Sequence, residues 1–357
     1  MTTVFFSRRV VFKITDNLRY REKKLLSRYD LYVDLFKRFG LKVTDVVPLR
    51  NVYLLFTDSG RKILKKVEYS QENLQFINDA LEYIRSGFDR IISFTKTHEG
   101  EIYTTWNGEL YCVMDAVEGR ECEFSNPLDV STAITGVAEL HKASEGYRCS
   151  YPDKILVGRA IDSFQRCSDE LSFFKSLALL HEYKSDFDKV FLEYVDYYLK
   201  EVDRSIEMLK NSHYLKICSE EDKIAICHHD LAHHNILIKD NKAYFIDFDF
   251  AVVDLKVHDI CNFINKAVKN FAFELERAQS IIEDYCSVNS LDRRELEVLK
   301  ALLTFPEDFY SISKDYYARR KEWEEETFLD RLIRKVEYKE DREEFLSNFL
   351  TTVYQES

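Results

Sequence analysis

The sequence predicts an α+β chain in two lobes: a small antiparallel sheet with one inserted helix, then a large, mainly helical lobe that carries a single β-hairpin. Three observations predict it. Short strand-like stretches, bounded by turn residues, crowd between residues 41 and 114. Helical apolar spacing dominates beyond Asp115, and one β unit at 224–250 interrupts the helices. The expected division is therefore 1–115 and 116–357, with the hairpin inside the second lobe.

Taken in order, DLYVDLFKRF (30–39) has helical spacing, and Gly40 is a stop signal. KVTDVVPL, NVYLLFTD and RKILKKVE read as three strands, with Asp58-Ser59-Gly60 turning the last two. Leu74, Ile77, Leu81 and Ile84 recur every three or four residues in ENLQFINDALEYI, an amphipathic helix. ISFTKTH, EIYTTW and ELYCVM follow as strands, joined at Glu99-Gly100 and at Asn107-Gly108, the latter a strong hairpin signal. Helices are expected over VSTAITGVAELHKA, from Asp162 to Leu209, and from Asp254 onward, including LKVHDICNFINKAVKNF and EWEEETFLDRLIRKVEY.

Bulk properties narrow the function classes. A chain of 357 residues that is 45% hydrophobic can build a real core. Its net charge of −12 argues against coating nucleic acid, which needs a basic surface. Residues 1–28 nevertheless form a basic arm, with eight Lys and Arg against Asp16 and Glu22, which reads as a solvated terminus. Eight scattered cysteines without a C-x-x-C pair suit a reducing compartment. No run of 18 apolar residues and no secretory signal is visible, so the expectation is a cytoplasmic protein without membrane or nucleic-acid partners.

The chemistry centres on HHDLAHHN (228–235) and the strands after it. NILIKDNKAYFID reads as strand, Asp240-Asn241 turn, strand. A two-residue loop pairs Asn235 with Ile246; a three-residue loop pairs it with Asp247. Either register brings Asn235 and Asp247 together at the open end, with Asp230 five residues upstream. Amide and carboxylate oxygens are hard ligands suited to Mg²⁺, and a nearby carboxylate can accept a proton from an attacking hydroxyl. That is the layout phosphoryl transfer needs. A cation on a small-lobe strand should meet the phosphates. In KILKKV, alternation separates Lys65 from Lys66; Lys65 is preferred and Lys66 stays possible. A helix acid should pair with it, Glu72 being nearest and Glu82 the alternative.

His228-His-Asp-Leu-Ala-His-His-Asn235 followed by Ile246-Asp-Phe-Asp249 resembles the H-x-D-x-x-x-x-N…I-D-x-D signature of the aminoglycoside phosphotransferase and choline kinase-like superfamily. Within it the chain resembles CotS-type spore coat proteins, through the ILKKV strand, the GVAELHKA helix, the IDFDFAVVDLKVHDICNFINK stretch and the TFPEDFYSISKDYY segment, over residues 30–350. The resemblance implies a protein kinase-like two-lobed fold with ATP and Mg²⁺ as cofactors and a nucleotide-binding first lobe. It implies Asp230 as catalytic base, and Asn235 and Asp247 as metal ligands. Asp249 would bind a second cation or water, or cap a turn. Lys65, similar in place to the lysine of the kinase V-A-I-K strand, would hold phosphate. Adenine would meet main-chain groups of Met114, Asp115, Ala116 and Val117, and His228 would pack beneath the loop as a structural residue. The implied partners are a nucleotide, an unidentified hydroxyl acceptor and other spore coat proteins, with the spore coat as a location.

Departures from the pattern matter as well. PLRNVYLL stands where a glycine-rich loop would cover the phosphates, leaving that approach to Arg50 and Asn51. His229 occupies the place of the protein-kinase arginine, and no A-P-E segment follows, which favours a small hydroxyl compound over a protein substrate. Two alternatives stand beside the phosphotransferase. One is a weakly active or inactive coat assembly protein. The other is a metal-dependent phosphohydrolase, suggested by the His229-Asp230 doublet and by the His229/His233 spacing, though H-E-x-x-H is absent and strands flank the segment. The aromatic DFYSISKDYY segment reads as core of the helical lobe, and His141 as a satisfied helix residue.

Overall fold

A computed structural model describes residues 33–49, 52–269 and 272–353. The basic arm at 1–28 and the Arg50-Asn51 turn lie outside the described residues. The chain divides into two compact units. The first contains the described residues up to Arg85, then Asp89–Cys122 and His233–Asp247; the second contains Ser86–Phe88, Glu123–Ala232 and the residues from Phe248 onward. The hairpin strands thus group with the small sheet, whereas the sequence reading put them in the helical lobe.

In the first unit, residues 33–38 (α1) are helical and end before Gly40. A five-stranded antiparallel sheet follows in the order β1-β2-β3-β5-β4, formed by β1 (Val43–Leu49), β2 (Val52–Thr57), β3 (Gly60–Val67), β4 (Tyr103–Trp106) and β5 (Glu109–Asp115). One face of it buries Leu55, Leu64 and Val113 against Leu35 and Phe36 of α1. Helix α2 (Gln71–Arg85) buries Leu74, Phe76, Ile77, Ala80, Leu81 and Ile84. The β4–β5 turn puts Asn107 at φ 50° and Gly108 at φ 81°, a geometry that favours the Asn-Gly pair. ISFTKTH, expected as a strand, makes only a single bridge, Phe94 to Met114, and Ile91 just before it bridges to Phe245. Its main chain bonds to β5 at Ser93 and Thr95 and then to Arg38 at His98, so no continuous ladder forms. β6 (Arg120–Glu121) joins β8 (Ile236–Lys239) and β9 (Lys242–Phe245) in a second sheet. Gly119 lets that approach happen, since a Cβ there would stand 3.0 Å from the Leu237 side chain.

The second unit is mainly helical: α3 (Pro127–Ala143), α4 (Ala160–Leu180), α5 (Asp186–Asn211), α6 (Tyr214–Ile217), α7 (Lys256–Val268), α8 (Leu275–Cys286), α9 (Arg293–Thr304), α10 (Glu307–Tyr317), α11 (Glu325–Glu337) and α12 (Lys339–Val353). Asn126 caps α3 ahead of Pro127, and Ser185 with Asp188 forms a capping box on α5. An aromatic core joins α4 and α5 to α10 and α11 through Phe174, Phe187, Phe191, Tyr198, Phe309 and Phe328. DFYSISKDYY supplies part of it, with Tyr316 stacked on Phe187 and Phe309 on Tyr198.

Two strands complete the unit. β7 (Ile224–Cys227) pairs antiparallel with β10 (Val252–Leu255), Cys227 opposite Val252. The sequence reading began the helix at Asp254, but the apolar run Val252-Val253 extends as a strand and α7 starts only at Lys256. Lys223 and Lys256, both buried, bind the buried carboxylate of Glu295 at 2.8 and 3.3 Å, tying the starts of β7, α7 and α9 together.

Candidate functional site

Within the first unit, β3 is an inner strand, so Lys65 sits between Val52 of β2 and Cys112 of β5. Its side chain is largely buried, and Nζ lies 2.6 Å from Asp247 Oδ1. Lys66 points the other way, exposed and paired with Glu109 at 3.0 Å, a hydrogen bond that raises its pKa. Of the two candidate lysines, only Lys65 has an ion pair with a residue of the signature. Glu72 does not meet it: it lies exposed in the first turn of α2, and among the described residues it forms no ion pair with Lys65. The helical period accounts for this, because the buried face runs through Leu74, Ile77, Leu81 and Ile84 while Glu72 and Glu82 project to solvent. The half-buried acid of α2 is Asp79, which accepts from Gln75 at 2.8 Å.

The hairpin adopts the two-residue register. Lys239 pairs with Lys242 around Asp240 and Asn241, at φ 50° and 56°. The Ile246 N–H donates to the Asn235 carbonyl at 3.0 Å. Asn235 is buried at the end of a 3₁₀ turn, one residue off register from Asp247. Asp247 itself takes a left-handed φ of 64°, an uncommon conformation for a residue with a side chain.

The connector after β5 also belongs to the first unit. Met114 is buried, and Asp115 is bound by Lys62 and Ser93. Burial pushes the Asp115 carboxyl up, but those two hydrogen bonds hold it below the ordinary value. The N–H groups of Asp115 and Ala116 donate to Ser93 and Arg61 carbonyls, whereas that of Val117 has no such partner among the described residues. Ala116, Val117 and Glu118 line an open cavity of about 320 Å³ with Arg61, Lys239 and Tyr244.

In the second unit, the chain leaving β7 is held by one face of α7. Asp259 Oδ2 accepts the His228 N–H at 2.6 Å and Oδ1 the His229 N–H at 2.7 Å. One turn on, Asn262 Oδ1 accepts the Leu231 N–H at 3.1 Å, and Lys266 Nζ binds Asp230 Oδ1 at 2.5 Å. Residues 259, 262 and 266 share a helix face, so three side chains fix four consecutive loop residues. His141 Nε2 reaches Asp259 Oδ2 at 3.2 Å, and its Nδ1 lies 2.9 Å from the Tyr285 hydroxyl. His228 is buried, with its ring against Phe248 and its Nδ1 accepting the Asp230 N–H at 3.3 Å. Asp249 lies half-buried in a 3₁₀ turn, and its charge only partly counters the burial that lowers the Lys154 pKa.

Beside this loop, His229 Nε2 and His258 Nε2 lie 3.6 and 3.7 Å from Asp254 Oδ2. Burial pushes Asp254 up, but the His258 and His229 charges bring it below its usual value; burial also lowers His258. His233 belongs to the other unit, 3.9 Å from Glu121. The α7 face was missed in the sequence, although Asp259, Asn262 and Lys266 at i, i+3 and i+7 were its signal.

Spore coat protein S of Bacillus subtilis (strain 168) is 23% identical over 303 residues, 83% of this chain and 86% of that protein. Among solved structures, an aminoglycoside phosphotransferase from Alicyclobacillus acidocaldarius superposes with a TM-score of 0.76 at 20% identity, covering 89% of this chain and 94% of that one. The spectinomycin phosphotransferase APH(9)-Ia, in complex with ADP and spectinomycin, gives 0.64 at 19% identity, covering 88% and 98%. The fold is thus protein kinase-like, as the sequence reading expected. Residues 33–349 match the family model described as "Spore coat putative kinase YutH", and the chain belongs to that spore coat kinase-like family.

Proposed function

We propose that the protein is an ATP- and Mg²⁺-dependent phosphotransferase that moves the γ-phosphoryl group of ATP to a hydroxyl of a small molecule or a coat-associated substrate. The observation that carries this reading is the Lys65–Asp247 pair at 2.6 Å, with Asn235 one residue off register from Asp247. It gives one cation for phosphate oxygens and two hard oxygen donors of the type Mg²⁺ takes. When bound, Mg²⁺ would neutralise charge on the phosphates. Asn235 and Asp247 would hold it, Asp249 would orient a second cation or a water, and Lys65 would bind phosphate oxygens. The free Val117 N–H would receive the adenine edge. The residues up to 115 and the connector would thus serve the nucleotide, and the helical remainder the acceptor.

Asp230 would accept the hydroxyl proton as the new O–P bond forms and the ADP oxygen departs. Lys266 would hold that carboxylate aimed until the acceptor competes for it. The spectinomycin phosphotransferase relative, solved with ADP and its acceptor, supports a nucleotide site here.

A second reading, a weakly active coat assembly protein, is favoured by the β1–β2 segment PLRNVYLL, which lacks glycines to cover phosphates. The name of spore coat protein S supports a place in the coat for either reading. No helix among the described residues is long and apolar enough to cross a membrane. Thermal shift with ATP and Mg²⁺, followed by ATP consumption against a panel of hydroxyl acceptors, separates the two. The phosphotransferase requires stabilisation that vanishes in Asp247→Ala, and turnover lost in Asp230→Asn with nucleotide binding kept. Stabilisation by Zn²⁺ alone, with no response to ATP and Mg²⁺, would overturn it.

A further inference from the structure

His229, Asp254 and His258 are unused by the phosphotransfer roles, and all three lie in the second unit. β7 and β10 pair antiparallel with Ala225 opposite Asp254, the side chain of His229, two residues past β7, comes back to Asp254, and the first turn of α7 adds His258. The Asp254 side chain is 2% exposed, and its Oδ1 accepts the Leu255 N–H at 2.8 Å. Its Oδ2 faces His229 Nε2 at 3.6 Å and His258 Nε2 at 3.7 Å. These separations are too long for hydrogen bonds. Both Nε2 atoms are buried, and among the described residues neither has a hydrogen-bond partner. Two bare, buried imidazole nitrogens aimed at one carboxylate oxygen are a costly arrangement, about 1–3 kcal/mol for each unsatisfied group. His229 also holds a left-handed φ of 62°, which a histidine rarely adopts.

A shared cation resolves all of this. Ligands 2.0–2.1 Å from a tetrahedral ion stand about 3.4 Å from one another, close to the spacing seen here. The three donor atoms lie within 4.8 Å of one another. We propose that His229, Asp254 and His258 form a binding site for a late first-row divalent cation of the Zn²⁺ type, with its fourth position open to water. The nitrogen pair selects against Mg²⁺, which prefers oxygen ligands and octahedral geometry. The His229 and His258 side chains are 29% and 17% exposed, so both rings border solvent while their donor nitrogens are buried. His229 directly precedes Asp230, and the bound ion therefore ties the Asp230 loop to β10 and α7. The inference is independent of the ATP site, whose metal ligands are different residues.

The test uses the full chain, stripped with chelator and titrated with Zn²⁺ in a calorimeter, with Co²⁺ absorption as a geometry probe. One equivalent of Zn²⁺ is expected, with Co²⁺ bands of a tetrahedral site and no thiolate charge-transfer band, which separates this site from the eight free cysteines. His258→Ala should weaken Zn²⁺ at least tenfold. His229→Gly should do the same while relieving the left-handed backbone, so it serves even if His258→Ala fails to fold. His233→Ala with His234→Ala should leave Zn²⁺ affinity unchanged. Zn²⁺ affinity unaltered in His229→Gly, or lost in the His233/His234 double variant, or a thiolate band with Co²⁺, would each overturn the site. Asp247→Ala should keep Zn²⁺ binding while losing ATP-dependent stabilisation, so that either reading can fail without the other.

Discussion

Replacing Asp259 by Asn tests how the Asp230 loop is held. The side chain is wholly buried and accepts two main-chain N–H groups, at 2.6 and 2.7 Å, as well as the His141 ring at 3.2 Å. Burial alone would raise its pKa; the His141 hydrogen bond and the charges of His141, His229 and His228 bring it down to about 2, against an ordinary 3.8. That drop corresponds to roughly 2 kcal/mol of stability at neutral pH. Asn keeps the shape but turns one acceptor oxygen into a donor, leaving one buried donor unpaired at about 1–3 kcal/mol more. The expected loss is therefore about 3–5 kcal/mol.

The pH dependence has a definite sign. Because the folded-state pKa is lowered, the carboxylate's contribution is complete above about pH 4 and drains away as pH falls toward 2. The gap between wild type and variant must narrow over that window. The chain has two tryptophans, Trp106 and Trp323, one in each unit. In a Trp106→Phe background, urea unfolding followed by Trp323 fluorescence reports the unit that holds Asp259. A difference under about 1 kcal/mol at pH 7, or a gap equally wide at pH 3 and pH 7, would refute the reasoning.

Further outcomes follow from the same contacts. Lys65→Met should weaken ATP binding about 10- to 100-fold, the worth of one charge-assisted bond, while Lys66→Met, on the exposed side of β3, should leave it within about twofold; calorimetric titration decides. Glu295→Ala leaves the buried ammonium of Lys256 with only the Asn289 and Ser290 oxygens, while Lys223 keeps Asp222 and Asp292, and should cost about 3–5 kcal/mol in the same urea assay. Asn241→Gly, at φ 56° in the β8–β9 turn, should stabilise the first unit by a few tenths to about 1 kcal/mol, read from Trp106 fluorescence.

Much of the fold was legible because local signals and tertiary needs agreed. Asn107-Gly108 and Asp240-Asn241 dictate their hairpins through backbone conformation alone, and the α2 stripe identifies its buried face. Signals failed where the deciding partner is distant in the chain. ISFTKTH has strand composition, yet its main chain bonds in fragments to β5 and to Arg38. β10 is four residues long and recognisable only by its pairing with β7. At the site, the hairpin register was open between two options that the Ile246–Asn235 hydrogen bond resolves. Glu72 was chosen for its nearness in sequence to Lys65, but the helical period turns it to solvent.

The proposed site residues are held in two different ways. Lys65 sits on β3, and Asn235 and Asp247 flank the β8–β9 hairpin just outside its strands, so their positions follow from ladders whose register is set by hydrogen bonds. Asp230 sits in irregular chain, with no ladder to fix it, and irregular chain keeps one conformation only where its polar groups have dedicated partners. Helix α7 supplies them: Asp259, Asn262 and Lys266 satisfy two N–H groups, a third N–H and the carboxylate in turn. His141 and Tyr285 fix Asp259 in its turn, each buried and each bonded. A carboxylate positioned by such nested contacts loses little entropy when an acceptor arrives, which is the property a proton acceptor in a transfer reaction requires. The contacts on Asp230 thus supply the positioning that the proposed role of proton acceptor calls for, with Lys266 on its carboxylate.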